Sequence, residues 1–183
     1  MLIKGKFVHL KKISLKDDKF IFNLRNKKDV SNYLHSPPKS INEQKKWILN
    51  NIKNVETLDF IICRNKDKKK IGTIGFDKMN KYNAEWGRWI SQGNIFENIE
   101  SVIILLDYGF NSLKLKNIFS LTNKDNIKVV NFHKNTPALY KGTIKSFFKI
   151  NNKKKDAIKY SFDKKRFDDF KKRFESMIES IQL

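Results

Sequence analysis

Cysteine, proline and glycine are all scarce in this chain of 183 residues: it holds one, three and seven of them. A single cysteine rules out an intrachain disulfide and a cysteine cluster for zinc. That residue, Cys63, closes the run Phe60-Ile61-Ile62-Cys63, where a lone thiol reads as a small buried hydrophobe rather than a nucleophile. Long apolar runs are missing as well. No segment reaches the roughly 18 residues that a membrane-spanning helix needs, and Met1-Leu2-Ile3-Lys4-Gly5-Lys6 lacks the apolar stretch of a signal peptide. A cytoplasmic protein is the expectation. Acids are outnumbered by bases, 19 to 39, leaving a formal charge of +20. Two readings of that surplus stand side by side. Lysine and asparagine crowd the whole sequence, as translation of an AT-rich genome produces; alternatively, a positive surface gathers anions such as phosphorylated cofactors, sugar nucleotides or nucleic acid.

What is present suffices for a core. Hydrophobic residues make up 39% of the chain, with 15 phenylalanines among them, which excludes disorder of the whole. The length suits one domain over residues 1–183, with a core at about 6–162. Residues 7–13 alternate as a strand and run into Ser14-Leu15-Lys16-Asp17, a capping box opening a helix to about residue 27. Pro37-Pro38 marks a loop, and Ser40-Ile41-Asn42-Glu43 repeats the capping pattern ahead of a second helix to about residue 54. Strands follow over 59–64, 70–78 and 84–90, joined by short polar turns. Residues 99–110 are apolar nearly all round and long enough for a buried helix. A strand at 118–122, a short helix at 126–134 and two strands at 140–150 and 157–162 complete the core. Beyond them Phe167, Phe170 and Phe174 recur at helical spacing over about 163–182, a stripe that packs on the sheet or forms a dimer contact. The order predicts an α+β fold with one βαβ crossover near its middle.

This order and several local cues resemble the GNAT superfamily of N-acetyltransferases, in particular its ribosomal-protein and amino-sugar branch. The cues are Leu24-Arg25-Asn26, Gln44-Lys45-Lys46-Trp47, Ile71-Gly72-Thr73-Ile74-Gly75 and, most specific, Ala84-Glu85-Trp86-Gly87-Arg88-Trp89-Ile90. Leu106-Asp107-Tyr108-Gly109-Phe110, Leu113-Lys114-Leu115 and Asp125-Asn126 are similar to the family's second half. The resemblance implies a central, mostly antiparallel seven-stranded sheet flanked by helices, with an extra C-terminal helix here. It implies acetyl-coenzyme A as co-substrate, no metal, and transfer to a primary amine.

Under that resemblance the thioester is held by the splayed edge of the fourth strand, at Trp89, Ile90 and Ser91. The pyrophosphate sits at the entrance of the following helix, over Phe96, Glu97, Asn98, Ile99, Glu100 and Ser101, where free amides and the helix dipole suit an anion. The chain departs from the family there. The usual Gln/Arg-x-x-Gly-x-Gly/Ala loop is absent, its glycine positions fall on Phe96 and Asn98, and Glu97 and Glu100 add negative charge; Gly93-Asn94 supplies part of a cradle. Asn126, Val129 and Phe132 are placed along the pantetheine arm, with Asn126 also a natural N-cap.

Glu85 is the candidate general base. Strand alternation puts it on one face with Gly87 and Trp89. A carboxylate of pKa about 4.3 is a weak match for an alkylammonium near 10, so a water relay or a free-amine substrate is expected. Its structural alternative is an ion pair with Arg25 or Arg88. His133 stands where relatives carry the tyrosine that protonates the thiolate, and as an imidazolium it could donate that proton; a surface histidine is the alternative. Arg25, Tyr33, His35, Trp86 and Phe147, or its neighbour Phe148, are expected to frame the acceptor. The resemblance to the amino-sugar branch implies a small-molecule partner, the 4-amino group of a nucleotide-linked amino-deoxy sugar in surface-glycan biosynthesis, with no membrane or nucleic-acid partner and a monomer or homodimer. The rival readings are a ribosomal-type protein N-terminal acetyltransferase and a non-catalytic basic module that binds nucleic acid.

Overall fold

A computed structural model describes residues 1–33, 37–150 and 152–180. The chain runs β1 (Leu2–Lys4), β2 (Val8–Lys12), a 3-10 turn (Leu15–Asp17), α1 (Asp18–Arg25), α2 (Lys28–Ser31), α3 (Ile41–Lys53), β3 (Leu58–Arg64), β4 (Lys70–Asp77) and β5 (Asn83–Ser91). It continues through α4 (Ile95–Asp107), a π turn (Tyr108–Ser112), β6 (Asn117–Asn123), α5 (Ile127–Lys134), β7 (Leu139–Ile150), β8 (Lys153–Phe162) and α6 (Lys164–Glu179). The strands form one sheet in the order β1-β2-β3-β4-β5-β6-β8-β7. This is the expected α+β arrangement with eight strands in place of seven.

The additional strand is β1, whose three residues pair with β2 from Leu2↔Lys11 to Lys4↔His9. Three residues carry too little alternation to read. Their turn into β2 is fixed from far along the chain, because the Glu100 carboxylate accepts the backbone N–H groups of Lys6, Phe7 and Val8 at 2.7, 2.7 and 2.8 Å.

The two capping signals act as expected. Ser14 donates its N–H and hydroxyl to Asp17, and the Ser40 hydroxyl accepts the Glu43 N–H. A third capping box pairs Asn94 with Glu97 and starts α4 at Ile95, four residues ahead of the predicted 99. Glu97 and Asn98 interrupt the apolar pattern in its first turn, Ile95-Phe96-Glu97-Asn98, and set that turn apart from the continuous apolar run.

Most of the core lies between one face of the sheet and α4 and α6, around Phe76, Ile74, Leu105, Leu106, Phe162 and Phe167. The stripe on α6 is buried there, with Phe167 stacked on Phe110 and Phe170 on Phe162. Burial of such a ring stabilises by about 1.5–3 kcal/mol, so the stripe serves packing within the chain. A smaller cluster on the other face joins Ile13, Ile21, Ile48, Ile61 and Cys63 beneath α1 and α3. Cys63 is 5% exposed, and burial pushes its thiol pKa up.

Candidate active site

Because α4 carries the chain across the sheet, β5 and β6 lie parallel, and they pair only over Asn83↔Asn117, Ala84↔Ile118 and Glu85↔Phe119. Beyond that last pair the strands part, leaving backbone groups on the facing edges without a strand partner. The fork opens a cleft of about 410 Å³, lined on β5 by residues from Glu85 to Ile90 and on β6 by Ser120 to Asn123. An edge of this kind offers amide donors to a bound carbonyl without reorganisation.

A bulge in β5 reshapes the cleft. Two steps along β4, from Thr73 to Gly75, face three along β5, from Ile90 back to Gly87. The extra residue is Arg88, at a φ of 51°, a left-handed conformation in which a long side chain is uncommon. The bulge reverses the strand's alternation. Trp89, expected beside Glu85, instead shares a face with Trp86, their ring centroids 5.9 Å apart, while Glu85 and Arg88 look toward α1 and α3. Alternation assumes a regular pleat, and one inserted residue shifts every later side chain to the opposite face.

The guanidinium of Arg88 holds the bulge in place. It lies 2.7 Å from Asp59 and 2.8 Å from Asp77, and it stacks over Trp47 at 5.4 Å. The Thr73 hydroxyl donates to the Arg88 carbonyl at 2.9 Å. Burial pushes the Asp59 carboxyl up, against the pull of Arg88. Burial also opposes the charge on Arg88, but Asp59 and Asp77 more than offset it, so its pKa rises further. Gly75 makes room for this pair, since a Cβ there would stand 2.2 Å from Asp59 Oδ1. Glu85 lines the same side and meets Lys78 at 2.6 Å, so its ionic partner is neither Arg25 nor Arg88.

On the other side of the fork stand Trp86, Trp89, Phe132 and His133. His133 is 1% exposed, its ring lies 4.6 Å from that of Tyr160 and nearly parallel to it, and its Nε2 is 3.1 Å from the Ser120 hydroxyl. It is not a surface histidine. Burial drives its pKa down to about 3, which favours the uncharged ring at neutral pH over the imidazolium expected as a donor. Both His133 and Ser120 line the cleft.

The helix entrance also departs from expectation. Glu97 and Glu100 do not point at a phosphate site. Glu97 bonds Arg64 Nε at 2.5 Å and accepts the Asn94 N–H at 2.8 Å. Burial works against its ionisation, but Arg64 and the Asn94 amide outweigh it and hold the carboxyl below its usual range. Glu100 is occupied by the β1–β2 turn. Phe96 stacks on Phe7, Ile99 packs on the core, and Ser101 is buried with its hydroxyl donating to the Asn98 carbonyl. Asn98 donates its side-chain amide to the Gly93 carbonyl. None of the side chains from Phe96 to Ser101 lines the cleft. Their positions were aligned by the apolar run, which gave the helix register but not the direction of each side chain. The amides of Gly93, Asn94, Glu97 and Asn98 are taken by local acceptors; among the first-turn amides those of Ile95 and Phe96 have no protein partner among the described residues.

Of the other expected site residues, Arg25, Tyr33, Trp86, Trp89, Ile90, Asn126 and Val129 line the cleft. Asn126 also caps α5 through a long 3.5 Å bond from the Val129 N–H, which is its N-cap reading. Ser91 and Phe132 lie outside the lining, the Phe132 ring 4.8 Å from that of Trp89 and tilted to it by 56°. Phe148 lines the cleft in place of Phe147, which lies exposed beneath Lys78. His35 lies outside the described residues. Trp47, Asp59, Asp77 and Ser120 were not anticipated; only Asp59, an acid entering an apolar strand, carried a signal that could have been noticed.

The residues of the fork fit acetyl-coenzyme A in their donors. The indole N–H groups of Trp86 and Trp89 are buried without a partner, and pantetheine offers the amide acceptors that such donors lack. At α4, the amides of Ile95 and Phe96 face the helix's positive end. Among the described residues no group of three or more histidine, cysteine or acidic side chains could hold a metal ion, and no helix is long and apolar enough to cross a membrane.

A sheet forked beside a crossover helix, with a bulged strand on one edge of the fork, frames this cleft. Residues 8–136 match the profile described as Acetyltransferase (GNAT) domain, and the chain belongs to that family. It is an acetyl-CoA-dependent N-acetyltransferase. No curated protein matches it. Among solved structures it is similar to apo FdhC, a nucleotide-linked sugar GNAT, with 26% identity over 96% of this chain and 97% of that one, at a TM-score of 0.76. It also resembles the Vibrio cholerae spermidine N-acetyltransferase in complex with CoA and spermine (22% identity, 89% and 99% covered, TM-score 0.79). A probable GNAT-family acetyltransferase from Chromobacterium violaceum ATCC 12472 shares the fold at 16% identity, with 91% and 88% covered and a TM-score of 0.80.

Proposed function

We propose that this enzyme acetylates the 4-amino group of a nucleotide-linked amino-deoxy sugar, as a member of the amino-sugar branch of its family. The observation that carries this reading is the composition of the face turned toward α1 and α3. Tyr33, Trp47 and Phe148 present flat rings suited to a base or sugar, and Arg25 stands among them. The similarity to FdhC supports the same choice.

In this reading the backbone edge of β5 at Trp89, Ile90 and Ser91, the indoles of Trp86 and Trp89, and Asn126 and Val129 hold the cofactor arm. Ile95 and Phe96 offer their amides to its phosphates. Acetyl-coenzyme A, when bound, supplies the thioester carbonyl. Glu85 accepts a proton from the amine through water, and Lys78 at 2.6 Å keeps the carboxylate oriented. Ser120 and the neutral His133 provide hydrogen bonds to the sulfur side of the fork without adding charge.

The test is mass spectrometry of UDP- and dTDP-linked 4-amino sugars after incubation with acetyl-coenzyme A, beside N-terminal peptides and spermidine. A 4-acetamido product formed in preference to the other two is expected. Acetylated peptide or polyamine with unmodified sugar would overturn the proposal.

A further inference from the structure

Two arginines pack against one indole in the cleft and differ in their counter-ions. The guanidinium carbon of Arg25 lies 5.1 Å from the Trp47 ring centroid and that of Arg88 lies 5.4 Å from it. Arg88 has two carboxylates in contact. Arg25 has none: among the described residues no ion pair or hydrogen bond engages its guanidinium, although it lines the cleft. The acids on this face are already committed, Asp59 and Asp77 to Arg88, and Glu85 to Lys78. The surroundings work against an isolated cation here. Burial is the first cause that lowers the pKa of Arg25, the like charge of Arg88 is the second, and the more distant Asp59 only partly compensates. Partly buried charge without a partner is costly, and one that opens on a binding cleft is relieved when a ligand brings the opposite sign. Its place over the Trp47 ring also restrains the guanidinium in advance, and a guanidinium suits bidentate capture of an oxyanion.

We propose that Arg25 is the anion anchor of the acceptor site, binding a phosphate oxygen pair of the substrate while its amine reaches Glu85. This rests on the reading of the α1/α3 face as the acceptor side. It adds which residue reads the phosphate of that acceptor, a group that a polycation lacks. The phosphate belongs either to a nucleoside diphosphate or to a simple sugar phosphate; the chemistry at Arg25 is the same.

Binding of UDP, dTDP and inorganic pyrophosphate is measured by calorimetry and by Trp fluorescence, for wild type, Arg25→Gln, Arg25→Lys and the surface control Lys172→Gln. Arg25→Gln is expected to weaken all three ligands by about tenfold or more and Arg25→Lys by less, since lysine keeps the charge but loses the fork. Lys172→Gln should leave binding near wild type. In turnover, Arg25→Gln should raise KM for phosphate-bearing amino sugars with little change in kcat, and leave kcat/KM for the methyl glycoside of the same amino sugar unaltered. Thermal midpoints of the variants confirm that each is folded. Wild-type protein that binds none of the three anions, or Arg25→Gln that binds them undiminished, would overturn the proposal. So would equal losses for charged and neutral acceptors. If sugar 1-phosphates but not nucleotide sugars are acetylated, with the same dependence on Arg25, the anchor stands and the nucleotide-sugar reading falls. If nucleotide sugars are acetylated without that dependence, the reverse holds.

Discussion

Burial takes the His133 pKa from 6.5 to about 3, and that displacement links the residue to stability as well as to chemistry. Between those two values the unfolded chain binds a proton that the folded chain refuses. Stability contributed by the neutral ring is therefore complete above about pH 6.5 and is lost as pH falls toward 3, by up to about 1.4 kcal/mol per pH unit. Urea unfolding at a series of pH values should show this slope, and His133→Gln should flatten it. The same substitution should leave the pH profile of kcat/KM without a missing limb between pH 6 and 9, because no imidazolium operates there. Glu85→Gln should behave differently, lowering kcat by about a hundredfold or more with little effect on the affinity for acetyl-coenzyme A; an equal loss in both would remove the base assignment. The position of Glu85 in the cleft was legible from its motif, and so were those of Arg25 and Tyr33. The protonation of His133 was not, since its burial comes from Tyr160 and Trp86, which reach it only through the fold. Nor could a strand pattern reveal that Arg88 would pair with Asp59 and Asp77 rather than with Glu85.

Among the elements, β5 depends most on a few contacts. Arg88→Ala leaves the Asp59 carboxylate, 5% exposed at its side chain, without its cation, and should cost of the order of 3 kcal/mol in chemical denaturation. Adding Asp59→Asn should recover part of that loss, because it removes the stranded charge, and the double-mutant cycle measures the coupling. If the single variant were as stable as wild type, the bulge would be held by something other than this ion pair. The elements announced by local chemistry were readable: Ser14 and Ser40 opened helices where expected, and the stripe Phe167, Phe170 and Phe174 forecast α6. What escaped was decided at long range. The bulge requires β4 as a neighbour, β1 requires the Glu100 carboxylate, and the early start of α4 is masked by Glu97, which Arg64 on β3 balances.

For the molecule as a whole, the forked sheet and the family follow from the order of elements, which the sequence showed almost completely. The acceptor did not follow, because the face of the cleft proposed to hold it gathers residues from α1, α3, β3, β4 and β5 that no local pattern connects. Saturation with acetyl-coenzyme A at about 100 times its Kd should stabilise the fold by about 2.7 kcal/mol and raise the melting temperature by roughly 5–10 °C; no shift at millimolar ligand would remove it as the cofactor of this protein. The surplus of +20 should appear as salt-sensitive association with anionic acceptors, weakening as ionic strength rises. The pairing of β5 with β6, which ends at Glu85↔Phe119, also works as a gauge of length. That last rung is the floor of the fork, and each strand residue spans about 3.3 Å. A ladder one pair shorter would deepen the slot by about that distance, close to the reach of two or three further methylenes. If the thioester lies in the fork as proposed, the point where the two strands stop pairing sets how much room is left for an acyl chain.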